Sequence, residues 1–332
     1  MKLFRFKKKE ELVLPQTIEV IEGELRIKVF YHDVCHPTNN QKVQKTMGFL
    51  TEGFHSLGQK EILFVMLNKR QQYYELPQEP ALFFKQLYLY SKQNKNTTHG
   101  SITQFGERDF MGWKGVIYTD ISGGLFSMIE NPTLNMLLVS NEEIKAAQEF
   151  GNLRVLSMLG KKYRFYPYPY WSELDRSEVM ISQMAQSSIL PRIQKRLIIN
   201  TSTLVSTGAE LRLTIPKTFN MEIPPEGVVP DSPLVIHSML SETADACLTY
   251  CFVSEQRGPE AISPPNSQGQ CIGACFLLLI PNQEHYGTRV VEDGYSLMML
   301  DTQWVEFWNA FKAKENFQIK SQNDLSFVLE WV

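Results

Sequence analysis

The stretch Glu24-Leu-Arg-Ile-Lys-Val-Phe30 alternates polar and apolar side chains, and a period of two marks a strand with one wet face and one buried face. Runs of similar length recur at Glu61 to Leu67, Gly115 to Tyr118, Asn135 to Val139 and Glu210 to Ile215. Helical spacing interrupts them at Pro80 to Lys92, Asn141 to Gly151, Glu178 to Lys195 and Thr302 to Lys314. The second of these follows Ser140-Asn-Glu-Glu143, a capping box. The third holds Pro191, which predicts a kink or a split. The fourth follows Asp301, a good N-cap, and turns Val305, Trp308 and Phe311 to one side. No regular β-α-β alternation emerges, so the class predicted is α+β, with mixed sheet-plus-helix units.

Polar or proline-rich segments punctuate the chain. Ser91 to Ser101 reads as a loop, and Pro216 to Pro233 and Ser254 to Gly269 read as long surface connections, because proline removes a ladder donor. With 332 residues the expectation is two domains, 1–196 and 197–332. Apolar residues are 43% and charged residues 21%, enough for a packed core. The 33 basic and 36 acidic side chains leave −3. That balance argues against a general nucleic-acid binder and a polybasic membrane binder. The basic start lacks the apolar region of a signal peptide, and the longest apolar run is half of a membrane span. The expectation is a cytoplasmic chain with no integral membrane segment and at most weak peripheral membrane contact.

A shift of 161 residues places Gly115-Val-Ile-Tyr on Phe276-Leu-Leu-Leu, Asn135 to Ser140 on Ser296 to Asp301, and Phe150 on Phe311, without a gap. Two related units, one copied from the other, are one reading. Two strand–strand–helix segments matched by hydrophobic pattern alone are the other. A copied unit requires 105–151 and 266–312 to show the same strand order and helix face.

Motifs for chemistry are sparse. No P-loop, GxGxxG, GxSxG, HExxH or kinase signature is present, and no cofactor is expected. Cys247, Cys251, Cys271 and Cys275 form two C-x3-C pairs. Structural zinc favours other spacings, and Cys271 to Ile280 reads as one buried strand, so reduced core thiols are expected and no metal. His32, Cys35 and His36 form the densest polar cluster, the minimum for a metal ligand set or a thiol nucleophile, with no third group to orient them. His55 sits in a glycine-bounded turn. Glu292-Asp293-Gly294 is read as a hairpin turn ahead of a carboxylate pair. No catalytic residue is assigned.

The run Lys161-Lys-Tyr-Arg-Phe-Tyr-Pro-Tyr-Pro-Tyr-Trp171 combines extended backbone with large rings. Tyr163, Phe165, Tyr166, Tyr168, Tyr170 and Trp171 are the candidate partner-binding residues. The same segment lying against the protein body is the competing account.

Several blocks resemble a known family in their order and spacing. They are Thr46-Met-Gly-Phe-Leu-Thr-Glu-Gly-Phe-His-Ser-Leu-Gly-Gln-Lys-Glu-Ile-Leu-Phe-Val65, Asn131-Pro-Thr-Leu134, Leu153-Arg-Val-Leu-Ser-Met-Leu-Gly-Lys-Lys-Tyr-Arg-Phe-Tyr-Pro167, Gly273-Ala-Cys-Phe276, Val291-Glu-Asp-Gly-Tyr295 and Asp324-Leu-Ser-Phe-Val-Leu-Glu-Trp331. From about residue 20 onward the chain resembles the C-terminal region of the Smad anchor for receptor activation and endofin family. A weaker similarity to suppressor-of-fused-like domains runs through 51–65 and 141–150. The resemblance implies an adaptor or scaffold role without known catalysis. The family's FYVE finger, with its paired CxxC motifs, and its upstream Smad-binding segment have no counterpart here, so endosomal placement and Smad binding are not carried over. The function expected is a non-enzymatic protein-interaction module of unknown partner. The alternative is a hydrolase or thiol-dependent enzyme using the Cys35, His32 and His36 cluster.

Overall fold

The computed structural model describes residues 14–35, 42–67, 76–121, 129–179, 189–199, 201–220, 232–239, 247–254, 258–263 and 271–332. Strands and helices mix without regular alternation, which is the α+β class expected. Two compact units are distinguished. The first takes the described residues up to Thr98, Thr103–Leu138 and Tyr170–Ser177; the second takes His99–Ile102, Val139–Pro169 and Glu178–Val332. The expected boundary near 196 lies inside the second unit.

The first unit is built on one sheet. Its strands are β1 (Gln16–Ile21), β2 (Leu25–Cys35), β3 (Lys42–Glu52), β4 (Glu61–Leu67), β5 (Ile102–Gln104), β6 (Gly115–Asp120), β7 (Thr133–Val139) and β8 (Ser172–Glu173). The order is β1-β2-β3-β4-β7-β6-β5, with β8 paired beside β4. β4 and β7 are buried along their whole length, as central strands should be. Helix α1 (Glu79–Ser91) places Phe84, Leu87 and Tyr88 on a core that includes Ile27, Phe49, Phe64 and Met136. The turn after β3 is tied by one carboxylate. Buried Glu61 accepts from Thr51 Oγ1 at 2.7 Å, Gly53 N at 3.0 Å and His55 N at 2.9 Å. The backbone of His55 therefore makes a turn contact.

The second unit holds helices α2 (Asn141–Phe150) and α3 (Asn152–Tyr163), two further sheets and helix α4 (Asp301–Ala313). One sheet runs β14 (Gly258–Ile262), β13 (Cys247–Ser254), β15 (Cys271–Gly273), β10 (Thr203–Ser206), β11 (Glu210–Ile215), β20 (Ser326–Trp331), β19 (Phe317–Ile319). The other runs β17 (Gly287–Val291), β18 (Gly294–Met298), β16 (Phe276–Ile280), β12 (Leu234–His237), β9 (Lys195–Ile198). Leu211, Leu213 and Ile215, the inward set of the alternating β11, share a core with Leu277 and Leu279 of β16 and with α4. Their outward neighbour Arg212 pairs with Glu210 and Glu330.

Several local expectations change in the structure. Cys271 to Ile280 is not one strand: the chain breaks at Ala274 and Cys275, and β15 and β16 enter different sheets. Residues 258–262, expected in a connection, form β14 at a sheet edge, where Pro259 costs no inner ladder bond. Helix α4 begins at Asp301 itself, and Gln303 Oε1 accepts from Leu300 N at 3.1 Å, so Asp301 lies in the first turn. Its core face is Trp304, Phe307, Trp308 and Phe311, while Val305 is 37% exposed. Of the helix expected over Glu178 to Lys195, residues 180–188 lie outside the described residues, Leu190–Arg192 form a 3-10 turn around Pro191, and Lys195 starts β9. Helix α3 was not expected as a helix. Helix α2 is as expected: Ser140 Oγ accepts from Glu143 N, and Glu143 Oε2 accepts from Ser140 N, each at 3.1 Å.

The 161-residue offset pairs β6, β7 and α2 with β16, β18 and α4. The surrounding order does not repeat. β7 lies between β4 and β6, whereas β18 lies between its hairpin partner β17 and β16. The upstream matches also part: β2 shares a sheet with β7, but its counterpart β11 lies in a different sheet from β18. The topology lends the copied-unit reading no support.

Candidate functional site

Helix α3 carries the polar centre of the second unit. Every residue from Asn152 to Gly160 is buried, so this stretch of the helix has no wet face to hold a charge. Arg154 sits in it nonetheless, with an exposure of 0%. A buried guanidinium is tolerated only when paired and hydrogen-bonded. Arg154 Nε donates to Asp293 Oδ2 at 2.8 Å, its Nη2 makes a close ion pair with Asp293 Oδ1, and Nη2 also reaches Glu292 Oε2 at 3.1 Å. The rings of Phe150, Phe252 and Phe276 surround the guanidinium at 5.5, 5.5 and 5.7 Å. Burial works against its charge, but Asp293, by charge and hydrogen bond, raises the pKa above the ordinary arginine value.

The two carboxylates come from the hairpin turn between β17 and β18. Val291 pairs with Gly294, and Glu292 adopts φ +53°, the left-handed conformation such a tight turn needs. The Glu292-Asp293-Gly294 motif is thus a hairpin, and its carboxylates serve as the counter-charge of Arg154.

His237, at the end of β12, is 2% exposed. Neither ring nitrogen makes a hydrogen bond of good geometry, although the Phe150 backbone is near. A Cβ on Gly151, between α2 and α3, would meet His237 Nδ1 at 2.9 Å. Burial first, then the charges of Arg154 and Arg196, pushes the imidazole pKa down to about 3. Cys251 and Cys275 are buried here too. Burial, reinforced by Asp293, pushes the Cys251 thiol up to about 12 and raises Cys275 well above its ordinary range.

The aromatic run is divided. Tyr163 ends α3, Arg164 turns the chain at φ +52°, and Phe165 N donates back to Gly160 O at 2.9 Å. Gly160 makes that return feasible: a Cβ there would meet Pro167 O at 2.2 Å and Phe165 O at 2.9 Å. Tyr163, Phe165 and Tyr168 are half-buried and Tyr166 is buried. Tyr170 and Trp171 lie in the first unit, buried at 8% and 6%. Tyr170 OH meets His32 Nε2 at 2.9 Å, with the rings edge-to-face at 5.7 Å. Gly160→Ala should therefore cost about 1–3 kcal/mol by pushing the returning segment off the helix, read as a lower urea midpoint with an unchanged slope.

His32 is half-buried, and burial lowers its pKa despite Asp33. The Cys35 side chain and His36 lie outside the described residues. Among the described residues no group of three or more His, Cys, Asp and Glu side chains gathers for a metal. No described helix is long and apolar enough to cross a membrane. An open cleft of about 530 Å3 lies between β17 and the chain at Ser321 to Ser326, floored by Gly208 and Ala209.

Three blocks distant in sequence meet at Arg154: Leu153 to Pro167 supplies the arginine, Gly273 to Phe276 supplies a surrounding ring, and Val291 to Tyr295 supplies both carboxylates. Residues 128–191 match the family model described as Smad anchor for receptor activation-like, C-terminal. The resemblance read from the sequence is met over this stretch, which holds α2, α3 and the aromatic run. No curated protein matches the chain. Among solved structures, the crystal structure of Drosophila Suppressor of Fused aligns with a TM-score of 0.37 at 10% identity, covering 92% of this chain and 88% of that one. The Sufu–Fu complex crystal structure aligns with a TM-score of 0.37 at 12% identity, covering 49% of this chain and 84% of that one.

The sequence reading missed Arg154 as a centre. Its signal was a lone charge inside an otherwise uncharged, mostly apolar run, Leu153-Arg-Val-Leu-Ser-Met-Leu159.

Proposed function

We propose that this chain is a cytoplasmic, adaptor-like protein-interaction module, and that its second unit presents Tyr163, Phe165 and Tyr168 to a protein partner. One observation carries the reading: the half-buried rings leave the end of a helix that is buried from Asn152 to Gly160 and tied by its arginine to the β17–β18 turn. A contact surface on such a support loses little freedom on binding, and tyrosine and phenylalanine offer large area with few rotors. The family match over 128–191 supports the same reading. Tyr166 acts as the buried anchor of the segment. Tyr170 and Trp171 serve the first unit and stand outside the proposed surface.

Photo-crosslinking in the native cell tests it. A benzoylphenylalanine at 165 or 168 should capture a discrete set of proteins that the same group at Lys145, exposed on α2, does not. Identical captures at all three positions would sink the proposal.

A further inference from the structure

Strands β13 and β15 run parallel, and their register sets Cys247 directly opposite Cys271, Leu248 opposite Ile272 and Thr249 opposite Gly273. Side chains at opposed positions of neighbouring strands stand on the same face, with backbones about 4.8 Å apart, inside the Cα range a disulfide spans. The two sulfurs are 2.7 Å apart, well inside the separation of non-bonded sulfur atoms. Both are reduced thiols.

From this geometry we infer that Cys247 and Cys271 form a reversible thiol–disulfide site. Cys271 is the entry point, because it is partly exposed while Cys247 is buried. With a small-molecule disulfide such as oxidised glutathione as the oxidant, the Cys271 thiolate attacks one glutathione sulfur. The old sulfur–sulfur bond breaks, and one glutathione thiolate leaves. Cys247, as its thiolate, then attacks the Cys271 sulfur and expels the second glutathione. Two protein thiols are oxidised to one disulfide, one glutathione disulfide is reduced to two thiols, and the two protons pass to the departing thiolates.

The other two cysteines of this region are placed differently. Cys251 Sγ faces Met158 Sδ at 2.9 Å, and Cys275 has left β15 for the buried surroundings of Asp293. Burial keeps both as thiols, so neither supplies the attacking thiolate. Four cysteines at like spacing thus divide into one reactive pair and two inert core residues. The bond would close a loop between positions 24 residues apart and fasten β15, a strand of three residues, to β13. This inference stands apart from the proposed protein-binding surface.

The test is to equilibrate the full chain with glutathione mixtures of increasing oxidised fraction, alkylate the remaining thiols and map the peptides. The expected product is one peptide pair linked through Cys247 and Cys271, two hydrogen masses lighter, reversed by dithiothreitol. Closing such a loop should raise the melting temperature by on the order of 5 °C. Cys271→Ser should abolish the linked pair, and Cys251→Ala with Cys275→Ala should leave it intact. Full alkylation of both Cys247 and Cys271 at the most oxidising poise would overturn the inference. So would a linkage through another cysteine, or a stable glutathione adduct on Cys271. Mapping the wild-type chain decides between these results even if a variant fails to fold.

Discussion

Arg154→Met should destabilise the protein by about 3–5 kcal/mol, because it leaves the carboxylates of Asp293 and Glu292 without their cation. Their side chains are 0% and 6% exposed, so water cannot take the arginine's place. Adding Asp293→Asn and Glu292→Gln to Arg154→Met should recover much of that loss, since the penalty comes from uncompensated charge. Urea titrations at neutral pH of the wild type, Arg154→Met, Asp293→Asn with Glu292→Gln, and the triple variant give the comparison. Additive losses across the set would show that Arg154 and the turn are not coupled. Recovery would establish that the hairpin turn and α3, joined by residues 139 positions apart, act as one energetic unit.

The second large effect is acid lability. In the unfolded chain His237 takes a proton near its ordinary value of 6.5; in the folded protein, buried beside Arg154 and Arg196, it stays neutral down to about 3. Between those values the unfolded state binds the extra proton, so stability is fully present above pH 6.5 and is lost as pH falls toward 3. The full span is worth on the order of 4 kcal/mol, of which roughly 2 kcal/mol falls between pH 6.5 and 5. His237→Leu should flatten that limb. At pH 7 it should cost little, because it also removes two ring nitrogens that lack hydrogen bonds of good geometry. An unchanged pH 7 to pH 5 difference in the leucine variant would assign the acid limb to other groups.

Local signals were legible and distant ones were not. The alternation of Glu210 to Ile215 and the capping box at Ser140 each depend on residues a few positions apart, and both stand in the structure as expected. Helix α3 gave no such signal. It begins after Gly151, which has no side chain to cap with, and Asn152, Arg154 and Ser157 are polar residues in its buried stretch. The apolar run from Cys271 to Ile280 hid a change of sheet, because hydrophobicity reports burial and not which sheet receives the strand. In α4 the spacing was right and the face one residue out: Trp304 and Phe307 outweigh Val305 in area. Most of the candidate site depends on pairings that no local pattern encodes, such as Arg154 with Asp293. The aromatic segment was visible from composition alone, but its division between Tyr168 and Tyr170 was not.

Strand β20 comes more than a hundred residues after its partner β11, yet it occupies an inner place in its sheet. β20 pairs in parallel with β11 from Glu210 opposite Ser326 to Ile215 opposite Trp331, and it lies between β11 and β19. During translation the edge of β11 must wait, unpaired, while more than a hundred further residues are made. Chaperone binding to nascent chains should accordingly persist until Trp331 has left the ribosome. Removing Ser326 to Trp331 would leave the β11 edge, with its inward Leu211, Leu213 and Ile215, open to neighbouring chains.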